Sequence, residues 1–335
     1  MTNHYLIAGP CSAETEEQVL ATAEQLSQMN VDYFRVGLWK PRTRPNTFEG
    51  VGEKGLKWLQ KVQRTFGMKI VVEAANTQHV EAALNAGIDA LWIGARTTTN
   101  PFAVQQIADA LRGVNLPVLV KNPVSPDVEL WLGAIERLQN AGIQQIMAVH
   151  RGFGGGDAAY RNSPQWHVPI ELRRRLPNIP LLCDPSHIAG KKELVSVVAQ
   201  QAIDLNYSGL MLEVHCNPQQ AKSDAEQQIT PAELRILLKN LVFCTENPHT
   251  ENLSALRRQI DDLDRNLVEI LAQRLKTAQQ IGDYKRKNNI SILQSLRYNE
   301  VLQNVINQAI SKNLNPDFIK KIMEIIHEEA IKRQL

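Results

Sequence analysis

The chain has 335 residues, a length that favours two domains over one. Hydrophobic residues make up 43% and charged residues 21%, which excludes a largely disordered protein, and no apolar run reaches the roughly 18 residues of a membrane span. The 37 Lys and Arg residues nearly balance 35 Asp and Glu residues, which excludes binding to nucleic acid through bulk charge. The N-terminal segment lacks a basic region followed by an apolar one, so we expect a cytoplasmic protein whose cysteines are thiols or metal ligands.

Eight short apolar runs alternate with segments of helical periodicity over residues 1–243. Runs of this kind between amphipathic helices indicate parallel strands. Eight such units in about 240 residues predict an α/β fold of the TIM (β/α)8 barrel type. A doubly wound open sheet is the alternative, but it does not require eight units, and the first strand–helix turn lacks a dinucleotide-binding glycine pattern. The predicted strands are 4–8, 33–37, 69–73, 90–94, 117–121, 145–149, 179–183 and 209–214.

The composition changes after residue 243. Residues 244–251 are polar and contain Pro248, so we predict a linker there, between a barrel domain over 1–243 and a second domain over 252–335.

The second domain is predicted to be all-helical. Apolar residues that step by three and four form a heptad seam along its first helix, which would be roughly 55 Å long. Because a domain of this size cannot cover so long a helix, we expect three helices per chain in an intertwined helical dimer. The helices are predicted from about residue 253 to 288 and over 296–310 and 315–334, and the seam residues are Leu253, Leu256, Ile260, Leu263, Leu267 and Ile270.

Ionisable residues follow nearly every predicted strand at its C-terminal end, where TIM barrels carry their active sites. Several are cations, and like charges that converge on one mouth are costly unless an anion balances them. Arg and Lys are the usual binders of phosphate and carboxylate, so the pattern predicts substrates with several negative charges, at least one of them a phosphate. These cations are Arg35, Lys40, Arg42, Arg96, Lys121 and Arg151.

A second group of these residues has the donor chemistry of a metal site. A thiolate, an imidazole and two carboxylates suit a borderline divalent metal, with Mn²⁺ preferred and Fe²⁺, Co²⁺ or Zn²⁺ as alternatives. The spacing alone leaves open that Cys11 is a small buried hydrophobic residue. The candidate ligands are Cys11, His187, Glu213 and Asp224. Residues expected to lie in the core or to support the site are Glu73, His150, Cys183, His215, Cys216 and Cys244.

Seven segments carry these candidates in chain order: AGPCSAE, FRVGLWKPRT, IGAR, VKNP, HRGF, DPSH and LEVHCNPQQAKSD. Together they resemble 3-deoxy-D-arabino-heptulosonate 7-phosphate (DAHP) synthase of the short-barrel subgroup, over residues 1–243. That family condenses phosphoenolpyruvate with erythrose 4-phosphate at a divalent metal, the first step of the shikimate pathway. The alternative is the related 3-deoxy-octulosonate 8-phosphate synthase, which uses arabinose 5-phosphate. The KPRT segment argues against it, because that family carries a KANR-type segment there.

The resemblance also implies a role for each candidate. The four candidate ligands would bind the metal, and Arg35 and Lys40 would face the phosphoenolpyruvate carboxylate, with Lys40 near the reacting centre. Val36 stands where the family pattern suggests glycine, which matters little if only the backbone is used. The phosphate of phosphoenolpyruvate would contact Arg96, Lys121 and Arg151, and erythrose 4-phosphate would contact Arg42 and Thr43.

Arg274 falls on the apolar seam, one heptad after Leu267. A buried arginine there requires an anion, or else it specifies the oligomeric state. Lys285 lies on the same helix face, whereas Arg257 lies roughly 25 Å away on another face. One small ligand cannot easily meet both ends of a straight helix, so we expect Arg257 to serve a second pocket on a partner chain.

The segment LSALRRQIDDLDRNLVEILAQRLKTAQQIGDYK resembles the first helix of the all-helical chorismate mutase domain, and the likeness extends over residues 252–334. That family rearranges chorismate to prephenate without a cofactor. The resemblance implies that Arg257, Arg274 and Arg297 neutralise the two substrate carboxylates and that Lys285 and Gln334 donate to the ether oxygen. Gln294, Tyr298 and Ala330 stand where the family has Asp, Glu and Ser, and fraying at Gln334 could weaken the site.

The leading interpretation is therefore a bifunctional enzyme, with no nucleic-acid or membrane partner. A barrel enzyme with a non-catalytic helical domain for dimerisation or sensing is the alternative, and an arginine at position 274 favours catalysis. We expect no domain before the barrel, since strand one begins near His4. The helical domain is then the candidate effector site, and we hypothesise that prephenate bound there inhibits the barrel.

Overall fold

The computed structural model describes residues 4–40, 47–155, 159–243 and 251–335. The chain divides into two compact units, Met1–Cys244 and Thr245–Leu335. The predicted linker falls almost entirely on residues 244–250, outside the described ranges, so the domain boundaries stay a prediction.

Eight parallel strands close into a barrel in chain order, and β1 pairs with both β2 and β8. This confirms the predicted TIM barrel and excludes the open doubly wound sheet. Every strand begins and ends within two residues of its predicted bounds. The strands are β1 Tyr5–Gly9, β2 Tyr33–Val36, β3 Ile70–Glu73, β4 Ala90–Ile93, β5 Val118–Lys121, β6 Ile146–His150, β7 Leu181–Cys183 and β8 Gly209–Glu213.

Helices follow the strands and begin at local capping signals. Thr15 and Asp127 each accept a hydrogen bond from a backbone N–H of the helix that follows. Thr230 and Glu233 form a reciprocal capping box. The helices described in this unit are α1 Glu16–Leu26, α2 Lys54–Phe66, α3 Thr77–Asn85, α4 Ala95–Thr98, α5 Pro101–Ala110, α6 Val128–Asn140, α7 His167–Arg175, α8 Pro185–Ala189, α9 Lys192–Asp204 and α10 Pro231–Asn240.

The barrel unit has two layers of buried apolar residues. Side chains that alternate along each strand point either outward to the helices or inward to the barrel axis. The outer layer includes Phe34 and Trp131, and the inner layer includes Ile7, Met211 and Trp92. Because the interior is filled with side chains, a ligand can enter only at a barrel end.

The C-terminal unit consists of α11 Glu251–Lys287, α12 Ser295–Ser311 and α13 Pro316–Gln334, which confirms the three predicted helices. The α13 helix packs against both α11 and α12. Asn315 caps α13 by accepting a hydrogen bond from the N–H of Phe318, and proline follows at the first helical position, as predicted. Of the helices described in either unit, none is both long and apolar enough to cross a membrane.

Most of the predicted seam on α11 is exposed in a single chain. Leu256, Leu263 and Leu267 expose 57%, 61% and 55% of their surface. Within residues 251–335, the buried apolar residues are Ala278, Ala309 and Ala330. Three alanines bury too little apolar surface to offset the entropy of ordering three helices.

Candidate active sites

A cavity of about 410 Å³ opens at the C-terminal ends of the barrel strands. Six of the sequence-predicted site residues line it: Lys40, Arg96, Lys121, Arg151, His187 and Asp224. A larger, mainly apolar groove of about 670 Å³ lies on the barrel exterior between α9 and α10 and holds none of these candidates. The chemistry-bearing residues therefore converge on the smaller cavity. Arg42 and Thr43 lie outside the described residues.

The predicted metal ligands meet at one edge of this cavity. Ligand atoms of Cys11, Glu213 and Asp224 all lie within 4.8 Å of one another, and the Cys11 Sγ is 3.2 Å from the Asp224 Oδ2. His187 lies beside this group, with its Nε2 3.7 Å from the Glu213 Oε1. Its Nδ1 lies 2.8 Å from the Asp184 Oδ2, within ion-pair distance, but makes no hydrogen bond among the described residues. The four donors come from the turn after β1, from α8, from β8 and from the residue before the 3₁₀ segment Ala225–Gln227.

The pKa values within this cluster differ in direction. Burial, with the neighbouring Glu213 charge, raises the pKa of the Cys11 thiol to about 12. Burial also raises the pKa of Asp224, but the charges of Arg161 and His187 outweigh it and hold that pKa below its ordinary value. Burial lowers the pKa of His187 despite the Asp184 charge. At neutral pH the cluster therefore consists of a thiol, carboxylates and a neutral imidazole.

Lys40 lies between the metal-ligand cluster and the cavity. Its Nζ donates to the Cys11 carbonyl oxygen at 2.9 Å and lies 3.0 Å from the Cys11 Sγ. Burial lowers the pKa of Lys40, but its contact with Cys11 and the negative charge of Glu213 raise it above its ordinary value. Lys40 is therefore a positively charged ammonium at the point where the candidate metal ligands adjoin the substrate cavity.

Arg35 is fully buried yet incompletely paired. Its Nη2 donates to the Glu213 Oε1 at 2.9 Å, and its guanidinium lies 5.1 Å from the centre of the Trp92 ring. Among the described residues, neither its Nε nor its Nη1 makes a hydrogen bond, although Nη1 lies 3.8 Å from the Asp184 Oδ2. Buried donors rarely stay unsatisfied, so this pair of N–H groups indicates an anionic ligand.

Lys121, which is buried, and Arg151, which is half-buried, add positive charge to the cavity. Lys121 Nζ donates to Asp184 at 2.8 Å, and Arg151 Nη1 donates to the Asn162 Oδ1 at 2.6 Å. Burial lowers the pKa of Arg151 to about 10 and also lowers the pKa of Lys121. Burial outweighs the attraction of Asp184 for both side chains, so a bound phosphate would further stabilise their charged forms.

Other strand-end residues lie in the core or support the site. His150 is a core residue, as expected, because its Nε2 lies 2.7 Å from the Pro164 carbonyl and its Nδ1 lies 3.0 Å from the Tyr207 hydroxyl. Glu73 lines the cavity. Asp184 follows β7 in the DPSH segment and contacts Lys121 and His187, although the sequence assigned it no role.

In the helical unit, Arg274 and Lys285 are half-buried on α11, and Gln334 is buried on α13. Lys285 Nζ donates to the Ile292 carbonyl at 2.7 Å, and the Gln334 Oε1 has no partner among the described residues. Arg257 and Arg297 are exposed, so a single chain does not enclose them.

The expected fraying at Gln334 is not observed. The α13 helix continues through Gln334, whose carbonyl accepts a hydrogen bond from Arg286 Nη1 at 2.6 Å. A glycine makes this close packing possible, because a Cβ at Gly282 would lie 2.7 Å from the Gln334 Cα. Gly282 therefore allows α13 to place Gln334 against α11.

An aromatic pair marks the region where the chain departs from the chorismate mutase pattern. The rings of Tyr298 and His327 lie 4.1 Å apart. The His327 Nε2 is buried and has no partner among the described residues. Burial lowers the pKa of His327, and the charges of Arg274 and Lys285 lower it further. His327 therefore lies near both cations, a relation that sequence spacing did not reveal.

The fold and the two sites define a TIM-barrel enzyme of anionic substrates, with a candidate metal centre, followed by a helical unit with a second cationic site. The chain belongs to the DAHP synthetase I family, whose family model matches residues 2–247. Residues 256–335 match the family described as chorismate mutase type II. The two matches confirm both resemblances and indicate a bifunctional enzyme.

Individual relatives agree with the family match. The chain is 34% identical over 224 residues to a phospho-2-dehydro-3-deoxyheptonate aldolase of Thermotoga maritima; the match covers 67% of this chain and 64% of that protein. A crystal structure of the DAHP synthase from Thermotoga maritima superposes with a TM-score of 0.64 at 31% identity, covering 71% of this chain and 68% of the other. A 2-dehydro-3-deoxyphosphooctonate aldolase of Burkholderia cenocepacia is 25% identical over 279 residues, which cover 74% of this chain and 94% of that protein.

Proposed function

We propose that the barrel condenses phosphoenolpyruvate with D-erythrose 4-phosphate to give DAHP and phosphate, and that the helical domain rearranges chorismate to prephenate. One observation carries the first activity. The half-buried or buried cations Lys40, Lys121 and Arg151 line one cavity with Asp224, and Arg35, two of whose donors make no hydrogen bond, lies beside the Cys11, Glu213 and Asp224 cluster. Two phosphorylated substrates, one of them also a carboxylate, match that charge.

The carboxylate and the phosphate of phosphoenolpyruvate would bind to two different sets of cations. Its carboxylate would accept from the free Nε and Nη1 of Arg35 and contact Lys40. Its phosphate would contact Lys121, Arg151 and Arg96, where the lowered pKa values of the first two favour a bound anion. Trp92 would lie beneath both groups, since the Lys121 Nζ is 5.8 Å and the Arg35 guanidinium is 5.1 Å from its ring centre. Arg42 and Thr43 would hold erythrose 4-phosphate.

The donor set fits a divalent metal, for which we propose Mn²⁺. Cys11, Glu213 and Asp224 already lie within coordinating reach of one another, and a small shift of His187 would add the fourth ligand. When bound, such a metal acts as a Lewis acid toward the aldehyde oxygen of the second substrate. No cofactor is proposed for the helical domain.

The barrel residues then act by orientation and fixed charge. Arg35 and the phosphate-binding cations hold the enol carbon of phosphoenolpyruvate toward the aldehyde carbon, and that carbon–carbon bond forms. Lys40, a charged ammonium at the reacting centre, stabilises negative charge that develops on the aldehyde oxygen. Water adds at the carbon that bears the phosphate, and phosphate leaves with the bridging oxygen.

The octulosonate reaction is the second candidate, because the Burkholderia cenocepacia protein of that name is matched over 94% of its own length. The KPRT segment favours erythrose 4-phosphate. An assay with arabinose 5-phosphate in place of erythrose 4-phosphate, under otherwise identical conditions, distinguishes the two reactions.

The helical site would act without acid, base or nucleophile. Arg274, with Arg297, would neutralise the chorismate carboxylates, and Lys285 and Gln334 would donate to the ether oxygen, where negative charge builds as the bond breaks. The backbone of Gln334 is held against α11 by Arg286 and by its close approach to Gly282, which would place its buried amide before the substrate binds. A non-catalytic sensor domain is the alternative for this unit.

We further propose that the helical domain is an intertwined dimer. The exposed Leu256, Leu263 and Leu267 form one apolar face on α11, and the three buried alanines do not supply a core for this unit. A second copy would cover the seam and would bring its own Arg257 to the first copy's site. Prephenate bound at this site is also proposed to inhibit the barrel activity.

Paired assays on one purified sample test both activities. Loss of phosphoenolpyruvate with erythrose 4-phosphate should stop after chelation and return with Mn²⁺, whereas loss of chorismate should continue unchanged. Two variants serve as mutual controls: Cys11→Ser should remove only the first activity, and Lys285→Met only the second. If chorismate is not consumed by the wild type, the helical unit is a sensor; if phosphoenolpyruvate is not consumed with Mn²⁺ present, the barrel proposal is wrong.

A further inference from the structure

Two residues without an assigned role, Arg161 and Gln227, connect the candidate metal ligands to one another. Gln227 is fully buried at the end of the 3₁₀ segment Ala225–Gln227. Its Nε2 donates to the Glu213 Oε2 at 2.5 Å, and its Oε1 accepts from Arg161 Nη1 at 2.6 Å. Both polar atoms of the Gln227 amide are thus hydrogen-bonded, so the position of this amide helps to fix the position of the Glu213 carboxylate.

Arg161 holds a second carboxylate of the cluster. Its Nη1 also donates to the Asp224 Oδ1 at 2.8 Å. Asp224 has a left-handed backbone, with φ 48° and ψ 39°, a conformation that costs free energy for a residue other than glycine. The ion pair with Arg161 therefore stabilises an otherwise unfavourable placement of this side chain.

The backbone of Arg161 packs against α8, the helix that carries His187. The Arg161 N–H donates to the Ala189 carbonyl at 3.4 Å, at the end of α8. The approach is close enough that a Cβ at Gly190 would lie 2.3 Å from the Arg161 Cβ. One residue thus contacts Asp224 directly, Glu213 through Gln227, and the helix of His187.

These contacts leave the remaining carboxylate oxygens directed at the cluster. Asp224 uses Oδ1 for Arg161, and its Oδ2 lies 3.2 Å from the Cys11 Sγ. Glu213 uses Oε2 for Gln227, and its Oε1, which also accepts from Arg35 Nη2 at 2.9 Å, lies 3.7 Å from the His187 Nε2. A carboxylate oriented in this way presents one oxygen to an ion instead of rotating freely.

We propose that Arg161 and Gln227 are positioning residues of the metal centre, which hold Asp224 and Glu213 in the orientation that binds a divalent cation. The inference rests on the proposed function, because it takes the four-residue cluster as a metal site. Loss of such an outer contact typically weakens metal binding by about 10–100-fold.

The test is Co²⁺ binding to the metal-free full chain without either substrate, followed by the near-ultraviolet thiolate-to-cobalt absorption. Leaving out substrates matters because Arg161 also lines the substrate cavity. The variants are Arg161→Met and Gln227→Met. The matched control is Arg137→Met, which removes an Arg–Gln contact of 2.9 Å between α6 and α5, remote from the cluster.

We expect Co²⁺ affinity to fall about 10–100-fold in both variants and to stay within about twofold in the control. Arg161→Lys should recover part of the loss, because an ammonium can still contact one acceptor. Unchanged affinity in Arg161→Met would overturn the proposal; this side chain is 47% exposed, so its replacement should not prevent folding even if Gln227→Met does. Absence of the thiolate band in the wild type would instead refute the metal site of the proposed function.

Discussion

Loading the barrel site with a divalent metal should release one proton, and that proton should come from Cys11. Burial raises the pKa of this thiol to about 12, whereas a metal binds the thiolate. The other three ligands should release none, because the pKa values of Glu213, Asp224 and His187 all lie below their ordinary values. At neutral pH the ligand set therefore carries one proton more than its metal-binding form.

The magnitude follows from that pKa. Ionising a thiol of pKa about 12 at pH 7 costs roughly 7 kcal/mol, which the metal–sulfur bond must exceed. Because pH 7 lies far below this pKa, each unit of rising pH increases the ionised fraction of the Cys11 thiol about tenfold. Apparent Mn²⁺ affinity should therefore rise about tenfold per pH unit between about pH 6 and 8.

Calorimetric titration of Mn²⁺ in buffers of different ionisation enthalpy counts the released protons directly. Cys11→Ser should bind Mn²⁺ more weakly and release no proton. A wild-type count of zero would mean that Cys11 is not a ligand or is already ionised. A count of two would mean that a second ligand, such as His187, is protonated in the free enzyme.

Three further outcomes follow from the contacts. Arg35→Lys, which keeps a charge but removes Nε and Nη1, should raise the KM for phosphoenolpyruvate at least about tenfold; an unchanged KM would refute the carboxylate assignment. Gly282→Ala should lower kcat/KM for chorismate about 10–100-fold by displacing Gln334, whereas Gly133→Ala, where a Cβ meets nothing within 4 Å, should not. Leu263→Glu with Leu267→Glu should give a monomer by analytical ultracentrifugation and abolish chorismate turnover; an unchanged dimer would place the interface elsewhere.

Local sequence patterns were sufficient for the secondary structure. Strand bounds could be predicted within two residues because a strand buried on both faces appears as a short apolar run between capping and turn residues. The Asn315–Pro316 start of α13 was predictable for the same reason, since a cap depends on neighbours in the chain. Strand-end residues could also be gathered into one site, because a barrel brings all those ends together.

The contacts within that site were decided by the tertiary structure alone. Cys11 and Asp224 are 213 positions apart, and Arg35 and Glu213 are 178 apart, so no local pattern relates them. The partnership of Arg161 with Gln227 likewise exists only after the barrel closes.

The helical domain shows the same division. The sequence alone indicated a long α11 with an arginine on its apolar seam, because heptad periodicity is a local property. Only the folded structure shows that Gln334 packs on Gly282. The same is true of the position of His327 near Arg274 and Lys285. Hydrophobic periodicity determines which faces of a helix are buried, but only the packing of one helix on another determines which polar groups meet between them.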